Sequence, residues 1–183
     1  MNYTLGKIKT FRGRDGYGLN ATILLDGKPV AFVLDEGCGG MLDVDFTNPG
    51  QNAKSWEQNH DFAAEREQAF HQFALGWYAA NGQREKRRAQ FAEWGMTQES
   101  IDAMAEATGH DAAECWINEQ VQAWELKRAL DRSAKKATLF RIKGEEYRSG
   151  EYRTVKRPYD ASVQEFLDRK YPGQVTEIYG VTA

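Results

Sequence analysis

The stretch that decides the fold is Leu19–Asp35, LNATILLDGKPVAFVLD. The Asp26-Gly27 dipeptide at its centre readily supplies the two positive φ angles of a type I′ hairpin turn. A turn at this point predicts three cross-strand pairs: Ile23–Val30, Ala21–Phe32 and Leu19–Leu34. These pairs give the hairpin one apolar face, so the turn chemistry and the alternation of side chains agree.

Further β structure is predicted on both sides of this hairpin. Alternating residues indicate strands over 5–11 and 41–46. Gly13, Gly16 and Gly18 lead into a strand and not into a helix, so no helix N-terminus is offered to a phosphate. The sequence therefore predicts a tight turn between two strands, within an antiparallel sheet over residues 1–50.

The central region changes to helical spacing. Apolar residues recur every three or four positions, which predicts helices over 53–80, 84–94 and 111–134. A short additional helix is predicted behind Thr97, a favourable N-cap, and Thr108-Gly109 is expected to close it. Residues 51–134 are thus predicted to form a helical region of about four helices.

The last segment returns to strands. Alternation predicts strands over 138–143 and 152–156, a helix over 161–170 behind the cap Asp160, and a final strand over 174–181. The predicted fold class is α+β, with a β-β-α-β segment over 135–183. All three segments are expected to form one compact unit.

Composition places the chain among soluble proteins. It has 183 residues, a formal net charge of -3 and 12% aromatic residues, with a mean hydropathy of -0.70. Two cysteines do not make a disulfide framework, and no apolar run approaches the roughly 18 residues of a membrane helix. We expect a cytoplasmic protein with no membrane association.

Acidic residues are concentrated in the helical region. From Glu93 to Glu125 the chain has no Lys or Arg. One interpretation is a surface that imitates nucleic-acid phosphates and binds a basic groove on a partner. The alternative is an ordinary solvated face whose charges attract others within the fold. The candidate partner-binding residues are Glu99, Asp102, Glu106, Asp111, Glu114 and Glu119.

Basic residues dominate the following stretch, from Lys127 to Arg157. Interleaved with tyrosines, they form a pattern typical of surfaces that grip a phosphate backbone. An internal structural role is again the alternative. The candidate residues are Lys135, Lys136, Arg141, Lys143, Arg153, Lys156 and Arg157.

No motif with a known catalytic chemistry is found. The sequence around Cys38, Gly-Cys-Gly-Gly, lacks the Lys-Ser/Thr of a phosphate loop, and His60, His71 and His110 lack zinc-site spacing. Asp43 and Asp45 share a strand face, but they lack a third ligand. The sequence predicts no catalytic residue, no metal and no cofactor.

Several segments resemble uncharacterised accessory proteins of phages, prophages and plasmids. They are FRGRDGYGLNAT (11–22), DGKPVA (26–31), DEGCGG (35–40), TLFRIKG (138–144) and YRTVK (152–156). The resemblance implies a small protein in the cytoplasm of a bacterial host that acts by binding, as inhibitors of CRISPR and restriction do. It implies no catalytic residue.

The leading functional expectation is a non-enzymatic inhibitor of a host protein or nucleoprotein, such as an anti-CRISPR or other counter-defence factor. Its anchors would be Arg12, Arg14 and Tyr17, because Arg and Tyr are frequent hot spots of binding. The alternative is a nucleic-acid-binding accessory protein that uses the basic stretch. An enzyme of unfamiliar type is the third hypothesis.

Overall fold

A computed structural model describes residues 2–39, 42–46 and 56–181, with the backbone alone over 56–62. The chain divides into two compact units, residues 1–121 and 122–183. The segments predicted from the sequence instead ended at residues 50 and 134, where the type of secondary structure changes. The predicted α+β class and the predicted order of strands and helices are confirmed.

Unit 1 begins with a four-stranded antiparallel sheet in the order β1-β2-β3-β4. The strands are β1 (Tyr3–Arg12), β2 (Tyr17–Leu25), β3 (Lys28–Asp35) and β4 (Asp43–Asp45). The strand predicted over 41–46 is therefore shorter than expected, and Met41 lies outside the described residues. Every neighbouring pair of strands in this sheet is also consecutive in the chain.

The β2–β3 turn confirms the Asp26-Gly27 prediction, since both residues have positive φ, 49° and 80°. All three predicted pairs are wrong by one residue, although Leu25–Lys28 and Leu24–Pro29 beside the turn keep the expected register. A β-bulge places Val30 as an extra residue, and the observed partners are Ile23–Ala31, Ala21–Val33 and Leu19–Asp35. Because of this bulge both Val30 and Ala31 are buried, while Phe32, predicted on the apolar face, is 44% exposed.

The helices of unit 1 follow the predicted positions closely. They are α1 (Trp56–Ala80), α2 (Gln83–Glu93), α3 (Gln98–Met104) and α4 (Gly109–Ala134), which continues into unit 2. Residues 53–55, predicted to start the first helix, lie outside the described residues.

Capping side chains explain where two of these helices begin. Thr97 caps α3 as predicted, accepting a hydrogen bond from the backbone of Ser100. Thr108 was expected to close the preceding helix, but it caps α4 instead. Its hydroxyl accepts from the Asp111 backbone N–H, and the Asp111 carboxylate accepts from the Thr108 N–H, at 3.1 and 2.9 Å. This reciprocal capping box starts α4 two residues earlier than predicted.

Aromatic side chains dominate the core of unit 1. Phe70 of α1 is fully buried and meets Tyr3 and Trp116 edge-on, with ring centroids 5.2 and 5.4 Å apart. Ile23 and Val33 of the sheet are also fully buried in the same cluster. The apolar face of the sheet is therefore covered by α1 and the first half of α4.

Unit 2 holds a three-stranded antiparallel sheet in the order β6-β5-β7. Its elements are β5 (Thr138–Ile142), β6 (Arg153–Val155), α5 (Ala161–Lys170) and β7 (Val175–Ile178). Asp160 caps α5 as predicted, accepting from the Val163 N–H. The core consists of Phe140, Ile142, Val163 and Leu167, so α5 covers one face of this sheet.

Candidate binding surfaces

The turn between β1 and β2 is held by backbone hydrogen bonds. Gly13 N–H donates to Gly16 O at 2.8 Å, and Asp15 N–H donates to Gly37 O at 3.0 Å. Gly37 N–H in turn donates to the Asp35 carboxylate at 2.7 Å. The turn is thus fastened to the loop that follows β3, and it forms no phosphate cradle at a helix N-terminus.

Two glycines are required where these loops meet. A Cβ on Gly13 would lie 2.6 Å from Glu36 O and 2.7 Å from Gly37 Cα. Gly37 itself has φ of +70°, a conformation that L side chains rarely adopt. The backbones approach so closely that the glycines have a structural role, as the sequence predicted for a tight turn.

The side chains of this turn extend into solvent. Tyr17 is 80% exposed, and the Arg14 side chain is 86% exposed. Arg12 is also exposed, and Arg14 has only a long contact of 3.9 Å with Asp15. The three predicted anchor residues are therefore brought together on one fixed turn. We call this group, Arg12, Arg14 and Tyr17, the turn tip.

The acidic candidate residues are largely paired with α2. Lys86 and Arg87 lie 3.3 and 3.6 Å from Glu119 and Asp111. Two further ion pairs join Arg84 to Glu106 and Arg88 to Asp102. Of the six acidic candidates, Glu99 and Glu114 have no ion pair with a described residue. This arrangement favours the alternative in which opposite charges attract within the fold.

The hydrogen bonds of Asp111 also affect its ionisation. The Thr108 hydroxyl donates to its carboxylate at 2.6 Å and is the main cause of a lowered pKa. Asp111 therefore serves the start of α4 and is a poor candidate for a free partner contact.

Three of the basic candidates belong to side-chain networks in unit 2. Arg141 stacks on Tyr152, 4.3 Å from the ring centroid, and pairs with Glu177 at 3.2 Å. Arg153 pairs with Glu145, and Arg157 bonds to the side chains of Asp160 and Ser162 at 3.2 and 2.8 Å. These interactions hold the loop between β5 and β6 and the start of α5.

The pKa values in this network reflect its hydrogen bonds. Those from Arg153 and then from Tyr147 lower the pKa of Glu145 to about 2. The hydrogen bond between Arg153 and Glu145 in turn raises the pKa of Arg153. For Tyr152, burial first and then a 2.7 Å hydrogen bond to Glu177 raise the pKa. The charged side chains of this network therefore satisfy one another.

The remaining four basic candidates are lysines outside these networks. All four are exposed, and none forms an ion pair with a described residue: Lys135, Lys136, Lys143 and Lys156. Any contact of unit 2 with phosphates depends mainly on these lysines.

A small cavity in unit 1 gathers side chains that the sequence spacing does not connect. It measures about 160 Å³ and is lined by residues of β4 and its flanks, α1 and α4. Its polar lining residues are Asp43, Glu67, His71, His110 and Glu114. His71 and His110 stand edge-on, 6.4 Å apart, although 39 positions separate them in the chain. Only the packing of α4 on α1 reveals this group.

The remaining candidates for chemistry are metal ligands and Cys38. In the described part of the chain, no three His, Cys, Asp or Glu side chains are placed to hold a metal ion. Cys38 is exposed, and its thiol donates only a weak hydrogen bond, 3.8 Å long, to Glu36 O. The side chain of His60 lies outside the described residues.

Trp94 is a surface residue that the helical pattern did not single out. It follows α2, contacts Phe91 with ring centroids 5.7 Å apart, and remains 66% exposed. Its position directly before Gly95 was the available signal, since residues at the end of a helix are often exposed.

No protein-family model, curated protein or solved structure matches the chain. Over the ranges 2–39, 42–46 and 56–181, no helix combines the length and apolar character needed to cross a bilayer.

Proposed function

We propose that this chain is a non-enzymatic phage or mobile-element protein that binds and inhibits a host protein or nucleoprotein. An anti-CRISPR or other counter-defence inhibitor in the bacterial cytoplasm is the specific form of this proposal. The observation that carries it is the turn tip, where an 80% exposed Tyr17 stands beside two exposed arginines on a backbone-held turn.

The chemistry of the turn tip suits a protein partner. Tyr and Arg are enriched among residues whose removal costs most binding energy. A turn fixed by Gly13 and Gly37 loses little conformational entropy on binding, which favours affinity. Arg12 and Arg14 would steer the tip toward an acidic surface on that partner.

The paired state of the acidic residues supports assigning the contact to the turn tip. A surface that imitates phosphates needs unpaired negative charges, whereas four of the six candidates face cations of α2. Glu99 and Glu114 are then left as single charges instead of a continuous acidic strip. The acidic run supports folding more directly than partner recognition.

The test combines capture with a measurement of inhibition. Tagged protein is used to pull down partners from a bacterial host lysate, with and without nuclease. The same protein is expressed in cells whose CRISPR or restriction system blocks an infecting phage. We expect a nuclease-resistant partner and restored plaque formation, both reduced at least about tenfold by Tyr17→Ala with Arg14→Ala.

Tyr159→Ala is the matched control, because Tyr159 is a 40% exposed tyrosine in the other unit. It should leave capture and plaque formation unchanged. Recovery of no host partner, or equal loss in the control, would contradict the proposal.

The exposed lysines of unit 2 favour a second candidate function, nucleic-acid binding through residues 127–157. Lys135, Lys136, Lys143 and Lys156 are available to phosphates because no described ion pair engages them. This function predicts a salt-sensitive mobility shift at about 50 mM salt, weakened when Lys143 and Lys156 become Glu. Lys28→Glu in unit 1 makes the same type of charge change as a control. Absence of any shift would exclude this candidate.

A further inference from the structure

β1 forms one edge of the sheet in unit 1. It is ten residues long, and among the strands that the structure describes only β2 pairs with it. Five of its residues are exposed, including Lys9, Phe11 and Arg12. An edge strand presents a row of N–H and C=O groups that no neighbouring strand satisfies. This edge can therefore accept a further strand through main-chain hydrogen bonds.

A β-bulge divides this edge into two parts. The register with β2 shifts between Gly6 and Lys9, and Lys7 has a φ of 51°, which is rare for a residue with a side chain. A bulge bends the strand and interrupts the regular ladder. Only one of residues 3–6 is exposed, whereas three of residues 9–12 are. The accessible part of the edge is therefore residues 9–12, which pair regularly with residues 17–20 and lead into the turn tip.

The charge of this edge has a single sign. Residues 1–14 contain four Lys or Arg residues and no Asp or Glu, and β2 carries no charged residue. Lys7, Lys9 and Arg12 are exposed, and none of the three forms an ion pair with a described residue. Opposite charges on neighbouring strands stabilise their pairing. An incoming strand that carries carboxylates would therefore complement this edge.

Phe11 gives the same stretch an apolar contact. Thr10 pairs with Leu19 of the core, so the adjacent Phe11 lies on the opposite face of the sheet. There its ring lies against Gly18, where a Cβ would collide with it, and Phe11 remains 38% exposed. Side chains of paired strands contact one another across the sheet. Phe11 therefore favours an apolar or β-branched residue on the incoming strand.

Two other occupants fit this edge less well. Pairing of β1 strands from two copies of the chain would place basic side chains opposite one another, and like charges in these positions destabilise a sheet. A nucleic acid offers phosphate oxygens that accept from N–H groups, but these oxygens cannot donate to the C=O groups of the edge. An extended peptide supplies both donors and acceptors.

We propose that residues 9–12 of β1 bind an extended, acidic segment of a protein partner, which adds to the sheet as a further strand. Main-chain hydrogen bonds supply the affinity, while Lys9 and Arg12 select for carboxylates. This inference rests on the proposed function, because it specifies the conformation and the charge of the partner segment that lies beside the turn tip.

The test uses a capped synthetic peptide of alternating glutamate and valine, EVEVEVE, and follows the full chain by NMR. A lysine peptide, KVKVKVK, reverses the charge. EVEVEVE with every amide N-methylated keeps the charge but has no main-chain donors. A short single-stranded DNA supplies phosphates without a peptide backbone. The four probes therefore separate strand addition from attraction between charges.

With the wild-type protein we expect saturable shifts of the β1 amide signals by EVEVEVE at concentrations up to about 1 mM. Hydrogen exchange of amides within residues 9–12 should become at least about fivefold slower, because an added strand protects the outward N–H groups. KVKVKVK and the N-methylated peptide should bind at least about tenfold more weakly.

A charge reversal then locates the peptide. Lys9→Glu should weaken binding of EVEVEVE at least about fivefold, because it replaces an attraction by a repulsion. Lys28→Glu is the matched control, since Lys28 is an exposed lysine of β3, which lies between β2 and β4 and not at the edge. It should bind like the wild type. The wild-type measurements with the four probes decide the matter even where a variant fails to fold.

Several results would overturn the inference. They are the absence of saturable shifts with EVEVEVE, equal binding of either control peptide, and equal loss in Lys28→Glu. Shifts caused by the DNA with EVEVEVE silent would overturn it in favour of a nucleic-acid surface. A dimer of the unliganded chain with its β1 amides already protected would assign the edge to a second copy.

Failure of this inference is distinguishable from failure of the proposed function. If EVEVEVE binds at β1 but the chain does not restore plaque formation, the strand addition stands and the inhibitor is contradicted. If plaque formation depends on Tyr17 while no peptide binds at β1, the inhibitor stands and the strand addition is overturned.

Discussion

The β1–β2 turn of unit 1 and the β5–β6 loop of unit 2 both connect antiparallel strands, but they are held in different ways. Backbone hydrogen bonds from Gly13 to Gly16 O and from Asp15 to Gly37 O fix the first. Charged and aromatic side chains, including Arg141 and Arg153, fix the second. Where backbone hydrogen bonds hold a connection, its side chains remain available to a partner. Where side chains hold the connection, they are already engaged within the fold.

This contrast separates candidate binding residues from structural ones. Arg14 and Tyr17 point outward from the backbone-held turn. Arg141 and Arg153, which looked equally suitable in the sequence, are committed to Glu177 and Glu145. The residue type alone is a poor guide to availability, because the same guanidinium group serves either purpose.

The largest expected effect comes from breaking the backbone-held turn. Gly13→Ala would place a Cβ within 2.6 to 2.8 Å of backbone atoms of Glu36 and Gly37, which cannot move aside cheaply. We expect the free energy of unfolding of unit 1 to fall by about 3 kcal/mol. Urea titration followed by tryptophan fluorescence measures it.

Gly16→Ala is the control for this variant, because a Cβ there has no neighbour closer than 4.0 Å. It should change the free energy of unfolding by less than about 0.5 kcal/mol. Equal destabilisation by the two variants would show that the turn is sensitive to any side chain, not to the close approach of the loops.

A smaller effect is expected from breaking the side-chain-held loop. Arg141→Ala removes the stacking on Tyr152 and the ion pair with Glu177 and should destabilise unit 2 by about 1 kcal/mol. Amide hydrogen exchange over 142–153 measures this loosening. Arg148→Ala, an exposed arginine in the same loop, should leave the exchange rates unchanged. Similar exchange in both variants would contradict the assigned role of Arg141.

Acid should loosen the same loop and spare the turn. The folded-state pKa of Glu145, about 2, lies below its ordinary value of 4.5. The unfolded loop therefore binds more protons in this interval, so the stability contributed by Glu145 is complete above pH 4.5. It is lost as the pH falls from 4.5 towards 2.

Hydrogen exchange as a function of pH, corrected for intrinsic rates, tests this dependence. Glu145→Gln should remove it from residues 143–152. The amide of Gly13, whose hydrogen bond to Gly16 O lies within the turn, should serve as the reference within the same molecule. A loss of protection at Gly13 over the same pH interval would contradict the contrast between the two connections.

The smallest effect on stability is expected at the turn tip. Tyr17→Ala removes a side chain that is 80% exposed, so the free energy of unfolding should change by less than about 0.5 kcal/mol. Chemical denaturation measures this change beside the capture assay. Lost binding with unchanged stability would separate recognition from folding. A large loss of stability would show that Tyr17 contributes to the fold.

Local signals in the sequence were enough for most of the fold. Asp26-Gly27 predicted the β2–β3 turn, while Thr97 and Asp160 predicted the starts of two helices. Each of these signals acts within a few residues, so the residues that cause the turn or the helix start are neighbours in the sequence. The bulge at Val30 was missed because an extra residue in one strand does not disturb the apolar composition of the hairpin.

The candidate sites were less predictable because they depend on distant pairings. Lys86 and Glu119 are 33 positions apart, so the sequence pattern could not predict their ion pair. The acidic run from Glu93 to Glu125 therefore seemed to have no cationic partners. His71 and His110 likewise meet only through the packing of two helices. Tyr17 is exposed, in agreement with the surface turn that the glycines around it indicated, and its role as an anchor stays a prediction.

The hydrogen bond from Asp15 to Gly37 has a consequence for synthesis of the chain. The turn tip lies within residues 12–17, but the Gly37 carbonyl that holds it comes some twenty positions later, beyond the end of β3. A nascent chain that extends only to the end of β2 lacks Gly37, so it cannot form this hydrogen bond. The proposed recognition would therefore require that β1, β2 and β3 are all complete, and shorter chains would present a less ordered turn tip.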